Sequence, residues 1–137
     1  MVEIKFRAFL RSNQRLPNGI TLGYEKFSRG IYEVMDLNLA SEIVTLWSEK
    51  EQTSFEVSFR KVELMQYTGL KDKNGVEIAV GDVVKKSNGA IGQVVYLKAT
   101  AGYKLYSAGQ VFDIFESNAR YLEAIGNIYE NPELLKG

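Results

Sequence analysis

The sequence predicts a mainly β protein in two parts, residues 1–63 and residues 64–137, ending in a short helical turn. Three observations carry that expectation. Apolar and polar residues alternate with period two in at least six segments, as they do in strands with one buried face. Turn residues separate the segments, as in Pro17-Asn18-Gly19, Asp72-Lys73-Asn74-Gly75 and Ser87-Asn88-Gly89. From Val83 onward the apolar segments become short and evenly spaced.

The first strand is expected at Val2 to Leu10, with Val2, Ile4, Phe6, Ala8 and Leu10 on one face. Arg11 to Gly19 reads as a loop, and Ile20 to Phe27 is ambiguous between a loop and a short strand. Ile31, Met35, Leu37 and Leu39 share a face of the next strand, with Glu33 as the exception. Ile43 to Trp47 is apolar and β-branched throughout, the pattern of a strand buried on both sides. Ser48 to Gln52 is charged and reads as a loop. Phe55, Val57 and Phe59 alternate with Ser54, Glu56, Ser58 and Arg60, the cleanest strand pattern in the chain.

The stretch from Leu64 to Lys85 organises the second part of the chain. It has an extended approach, a tight turn at Asp72 to Gly75, and a corner at Gly81-Asp82 that launches a new strand. Asn and Gly tolerate the positive φ that hairpin turns demand. Short strands are then expected at Val83 to Lys86, Ile91 to Leu97, Tyr103 to Tyr106, Val111 to Phe115 and Tyr121 to Tyr129. Five strands at this spacing predict a small barrel, SH3-like in its Gly-Asp-Val-Val opening, with the amino-terminal β region packed on it. Asn131 can cap a final helical turn, Pro132 suits its first position, and Leu134 and Leu135 would pack back.

Composition narrows the function. Seventeen acidic and seventeen basic residues cancel, so long-range steering toward nucleic acid or anionic membranes is weak. Cysteine and histidine are both absent. That removes disulfides, thiolate nucleophiles, histidine-containing zinc sites and imidazole bases together. No leader segment and no membrane-crossing stretch is apparent, so a soluble protein of the cytoplasm is expected. No motif for a catalytic serine, a phosphate loop, a metal or any other cofactor is present. The expectation is therefore a protein that is not an enzyme, with no catalytic, cofactor or metal residues.

Three patterns have both a functional and an ordinary reading. Asp72-Lys73-Asn74-Gly75-Val76-Glu77 opens like a calcium loop, but Gly stands fourth instead of sixth and Val83 occupies the twelfth position. A plain turn fits better. Gly89-Ala90-Ile91-Gly92 matches a nucleotide-gripping GxxG, but its flanks read as strands instead of helices. Tyr96, Lys98, Tyr103, Lys104 and Tyr106, with Phe112 nearby, could form an aromatic and basic platform for single-stranded nucleic acid. The ordinary reading divides these aromatics between core and sheet surface.

Four segments carry a family resemblance: Glu3 to Ala8; Leu64-Met65-Gln66-Tyr67-Thr68-Gly69-Leu70-Lys71-Asp72-Lys73-Asn74-Gly75; Gly81-Asp82-Val83-Val84; and Ile125 to Leu135. In these the chain is similar to the YopX family of phage and prophage proteins. Residues 11–62 and 86–120 carry less of the likeness, and the first loop departs from a shorter, more acidic form. The resemblance implies a phage or prophage origin and a mostly β fold, and it implies no catalytic or binding residues. Together these readings lead to a non-catalytic binding or assembly protein. A homo-oligomer is expected, most simply a dimer formed through residues 1–62, with an unidentified phage or host protein as partner. Nucleic acid is the less favoured alternative, and no membrane partner is expected. Large apolar groups in the first part, Phe9, Phe27, Tyr32 and Trp47, motivate the oligomer.

Overall fold

The computed structural model of the chain describes residues 5–17 and 24–135. Val2, Ile4 and the turn at Asn18-Gly19 lie outside those residues. The chain divides into two compact units, 1–65 and 66–137. Among the described residues no helix is long and apolar enough to cross a membrane.

In the first unit the strands are β1 (Phe6–Leu10), β2 (Gln14–Pro17), β3 (Tyr24–Phe27), β4 (Gly30–Asn38), β5 (Ile43–Ser48) and β6 (Thr53–Ser58). A 3-10 turn at Phe59–Lys61 leads into β7 (Val62–Lys71). The sheet runs in the order β6-β5-β4-β1-β7, and β2 and β3 form a separate two-stranded ribbon. Ala8, Leu10, Val44, Leu46, Phe55 and Val57 form one apolar face. The ribbon lays Leu16 and Phe27 onto it, and the Phe27 ring stacks on Phe55 at 3.8 Å. An aromatic pair of this kind adds about 0.5–1.5 kcal/mol beyond the area it buries.

Three expectations are corrected here. The loop expected at Arg11 to Gly19 contains β2, because its residues pair with β3 from Gln14 opposite Phe27 to Pro17 opposite Tyr24. In β4 the expected face of Ile31, Met35, Leu37 and Leu39 is broken. Val34 faces Leu46 and Asp36 faces Thr45, so Met35 is an extra residue in a bulge. The bulge switches the alternation, so Tyr32, Val34 and Leu37 meet the core while Met35 and Leu39 are exposed. β5 is buried on one face only: Val44, Leu46 and Ser48 are inside and Ile43, Thr45 and Trp47 are half-buried. Phe9 and Phe27 prove to be buried and Tyr32 and Trp47 half-buried. Among the described residues, the exposed large apolar groups of this unit are instead Met35, Leu39 and Leu64.

The second unit begins with the last residues of β7. It continues through β8 (Glu77–Ala79), β9 (Asp82–Lys85), β10 (Ile91–Leu97), β11 (Gly102–Ser107), β12 (Gln110–Asp113), α1 (Glu116–Ala119) and β13 (Glu123–Asn127), and ends in a 3-10 turn at Pro132–Leu135. The turn between β7 and β8 is the expected one, with Gly75 at φ 79°. Gly81, at φ 98°, makes the corner before β9. Asp82 fixes that corner, its buried carboxylate accepting the Ala79 N–H at 2.8 Å.

The five strands form a sheet in the order β12-β11-β10-β9-β13. Its end strands, β12 and β13, are not joined, so the expected SH3-like barrel is replaced by an open sheet. The physical reason is visible in the core. Ala119 of α1, Leu122, Ile78 and Leu70 cover one face over Val84, Val94 and Leu105, doing what closure would otherwise do. On the other face Val83 lies opposite Gly126. A Cβ on Gly126 would stand 2.5 Å from Asn131 Oδ1 and 2.9 Å from Leu134 Cδ1, so the final turn rests against the backbone there.

The Glu116 to Arg120 segment, expected only to link strands, folds as α1. The terminal helix is a 3-10 turn. Asn131 also turns the other way: its Oδ1 accepts the Asn127 N–H behind it, while Asn127 Oδ1 accepts the N–H groups of Tyr129 and Glu130.

Candidate functional site

The expected aromatic and basic platform does not converge on one surface. Residues directly opposite on paired strands share a face. Tyr96 pairs with Tyr103 and Val94 with Leu105, so the two tyrosines continue the core face of the sheet. Their rings meet edge to face at 5.5 Å. Lys104 and Tyr106, which pair with Val95 and Gln93, lie on the opposite face. Lys104 is engaged by Asp113, its neighbour across β12, in an ion pair. Lys98 stands in the loop after β10.

The structure brings a different group together at the β12 end of the core face. Phe112 lies opposite Leu105 there. The chain then runs through Ile114 and Phe115 into α1 and out through Tyr121 and Leu122. Together with Lys86 and Ser87, from the turn after β9, these residues enclose a hollow of about 430 Å3. Its floor is apolar, made by Leu105, Phe112, Ile114 and Leu122. Phe115 and Tyr121 stand at its rim, 52% and 60% exposed.

Local chemistry holds this shape. Helix α1 has a single turn and cannot stand on propensity alone. Asn118 anchors it: Oδ1 accepts the Phe115 N–H at 2.9 Å, and Nδ2 donates to the Asp113 carbonyl at 2.9 Å. Ala119 is pinned in the core behind it. The Lys86 ammonium lies 4.0 Å from the centre of the Phe112 ring, a cation–π contact that keeps the charge at the mouth of the hollow. Of these residues only Phe112 stands out in the sequence as a candidate. Phe115 and Tyr121 carry one available signal, being aromatic residues on both sides of a polar five-residue segment.

Two other hollows are more polar or more closed. One of about 700 Å3 runs past Lys71, Asp72, Glu116, Ser117 and Arg120. Another, of about 320 Å3, lies in the first unit. Two of its polar groups are engaged internally, Tyr32 donating to the Ser28 carbonyl and Trp47 Nε1 to Glu49. Burial raises the Tyr32 phenol above its ordinary pKa; the Ser28 bond opposes that rise and the Glu51 charge adds to it. Among the described residues, no three acidic side chains gather as metal ligands would.

The strongest polar assembly belongs to the family-like motif. Asp72 is buried, and its Oδ1 accepts the N–H groups of Asn74 and Val76, each at 2.9 Å. Oδ2 accepts the Ala124 N–H. Burial works against the charge, yet the Ala124, Val76 and Asn74 donors and the Lys73 charge together hold the carboxyl below its ordinary pKa. A carboxylate saturated by backbone donors builds a turn and ties it to β13. That accounts for a specific sequence motif through architecture alone.

Fold and hollow together define a class: a mainly β protein of two units, the second carrying an aromatic-rimmed apolar recess. Within that class, the chain belongs to the YopX family. The family described as YopX protein matches residues 5–136, nearly the whole chain. The chain is also similar to the crystal structure of protein EF1440 from Enterococcus faecalis. Identity is 25% and the TM-score is 0.58, with 99% of this chain and 100% of that one covered. No curated protein matches the chain.

Proposed function

We propose that the protein is a phage or prophage accessory protein that is not an enzyme and works by holding a partner protein of the phage or its host. The observation that carries this reading is the hollow between β12 and α1, with its apolar floor and the exposed rings of Phe115 and Tyr121. Exposed aromatic groups around an apolar recess are the usual anchors of protein interfaces. Lys86 adds one positive charge at the mouth, which favours an apolar side chain flanked by an acidic residue.

The nucleic-acid reading has less support. Its aromatic and basic residues stand on two faces of the sheet, and Lys104 is already paired with Asp113.

Photo-crosslinking from position 115 in prophage-bearing cells tests the proposal, with Phe112→Ala and Tyr121→Ala proteins as comparison. A crosslinked protein adduct that both substitutions weaken is the expected result. Adducts that survive both, or crosslinks to nucleic acid only, would overturn the reading.

A further inference from the structure

We propose that strand β6 pairs edge to edge with β6 of a second copy, making a two-fold dimer through the first unit. β6 ends its sheet. Sheet edges are normally guarded by short length, proline, lysine, bulges or a covering segment, because their free N–H and C=O groups template pairing. The other edges of the two large sheets are guarded. β8, which pairs with β7 and ends that sheet on its other side, has three residues. β12 has four, ends in Asp113, and its Asp113 carbonyl is taken by Asn118. β13 carries a bulge between Ala124 and Gly126. β6 has six residues, Thr53–Ser58, with one charged residue, Glu56, no proline, no lysine and an unbroken register against β5.

The ladder determines which backbone groups β6 offers. Phe59 donates its N–H to the Glu42 carbonyl at 2.9 Å, in line with the register of Val57 opposite Val44. Hydrogen-bonded pairs in an antiparallel ladder alternate. Val57, Phe55 and Thr53 therefore bond inward to β5, and the N–H and C=O groups of Ser54, Glu56 and Ser58 point outward.

A second copy fits this edge best about Phe55: an axis through Val57 would also set a serine opposite Glu56, but Ser58 ends the strand and its hydroxyl already accepts the Arg60 N–H. A two-fold axis perpendicular to the sheet keeps both core faces on the same side, so paired residues must have the same parity. An axis through Glu56 would set two carboxylates directly opposite each other. An axis through Phe55 instead sets Ser54 of each copy opposite Glu56 of the other. Both pairs then exchange the outward backbone bonds, and each Ser54 hydroxyl can donate to a Glu56 carboxylate. Ser54 and Glu56 are exposed on the single chain; the Ser54 carbonyl accepts the Thr53 hydroxyl at 3.3 Å, a long bond that leaves its second lone pair for the partner strand.

Sedimentation of the full chain over a range of concentrations tests the dimer, with circular dichroism as the folding control. The wild type is expected at dimer mass. Glu56→Pro removes an N–H that the single chain does not use, and is expected to stay folded and become monomeric. Ser54→Glu places like charges opposite each other twice and is expected to raise the dissociation constant roughly two- to thirtyfold. Ser54→Lys is expected to lower it. A monomer mass at the highest workable concentration would overturn the proposal. So would a dimer indifferent to all three substitutions, or one that Ser54→Glu and Ser54→Lys change alike.

Discussion

The Asp72 carboxylate and the Ala124 amide, 52 residues apart in the chain, meet at 2.9 Å. With Asn74 and Val76 also donating to Asp72, one side chain closes a hairpin turn and ties it to the strand before the final turn. Asp72→Asn keeps the shape but removes the charge and turns one acceptor into a donor facing an N–H. It is expected to cost about 1–3 kcal/mol at pH 7, read from urea unfolding. The folded pKa lies below the unfolded value of about 3.9. The ionic stabilisation is therefore complete above that value and is lost as pH falls through the folded pKa. The gap between wild type and variant should narrow below about pH 4, and a gap that is constant with pH would refute the assignment.

Gly75→Val and Gly81→Val should each destabilise by about 1–3 kcal/mol. At Gly75 a Cβ would meet nothing within 4 Å, so the whole cost there is conformational. Gly126→Ala tests the contrary case. Its φ is not positive, but its Cβ would strike Asn131 and Leu134. The final turn should loosen in that variant, read as faster hydrogen exchange at Leu134. Unchanged denaturant midpoints for the Gly75 and Gly81 variants would contradict the strain argument.

The bulge in β4 makes an ordered prediction about two neighbours that hydrophobicity alone ranks alike. Leu37→Ser removes a group packed on the core and should cost about 1–2 kcal/mol. Met35→Ser, at an exposed position, should stay within about 0.5 kcal/mol of wild type. Thermal melts of the pair decide it, and the reverse order would mean that the bulge is misplaced.

Single-stranded DNA or RNA should bind weakly. The formal net charge is zero, and counterion release supplies most non-specific affinity. Fluorescence anisotropy at two salt concentrations checks this. Tight binding that collapses with salt and is abolished by Lys98→Ala would restore the platform of tyrosines and lysines.

The strands are legible in the sequence where one face alone is buried, as at Phe55 and Val57, and the turn at Asp72 to Gly75 is legible because Asn-Gly chemistry is local. The features hidden from sequence are non-local. Met35 reads as a core residue because a bulge leaves no mark on hydrophobic periodicity. The barrel looks closed because strand spacing says nothing of which end strands meet. α1 escapes notice because a single turn, held by Asn118 from outside its own hydrogen-bond ladder, has no periodicity to detect. The hollow depends on that turn, so most of its residues could not be foreseen either.

The place of β1 within its sheet has a consequence for synthesis. β4 follows β1 by about twenty residues and covers one of its edges. Its other neighbour, β7, begins only at Val62. At about 5–20 residues per second, the nascent chain carries β1 with one open edge for several seconds. Until Val62 has emerged, one edge of the extended apolar segment Phe6-Arg7-Ala8-Phe9-Leu10 has no strand to pair with.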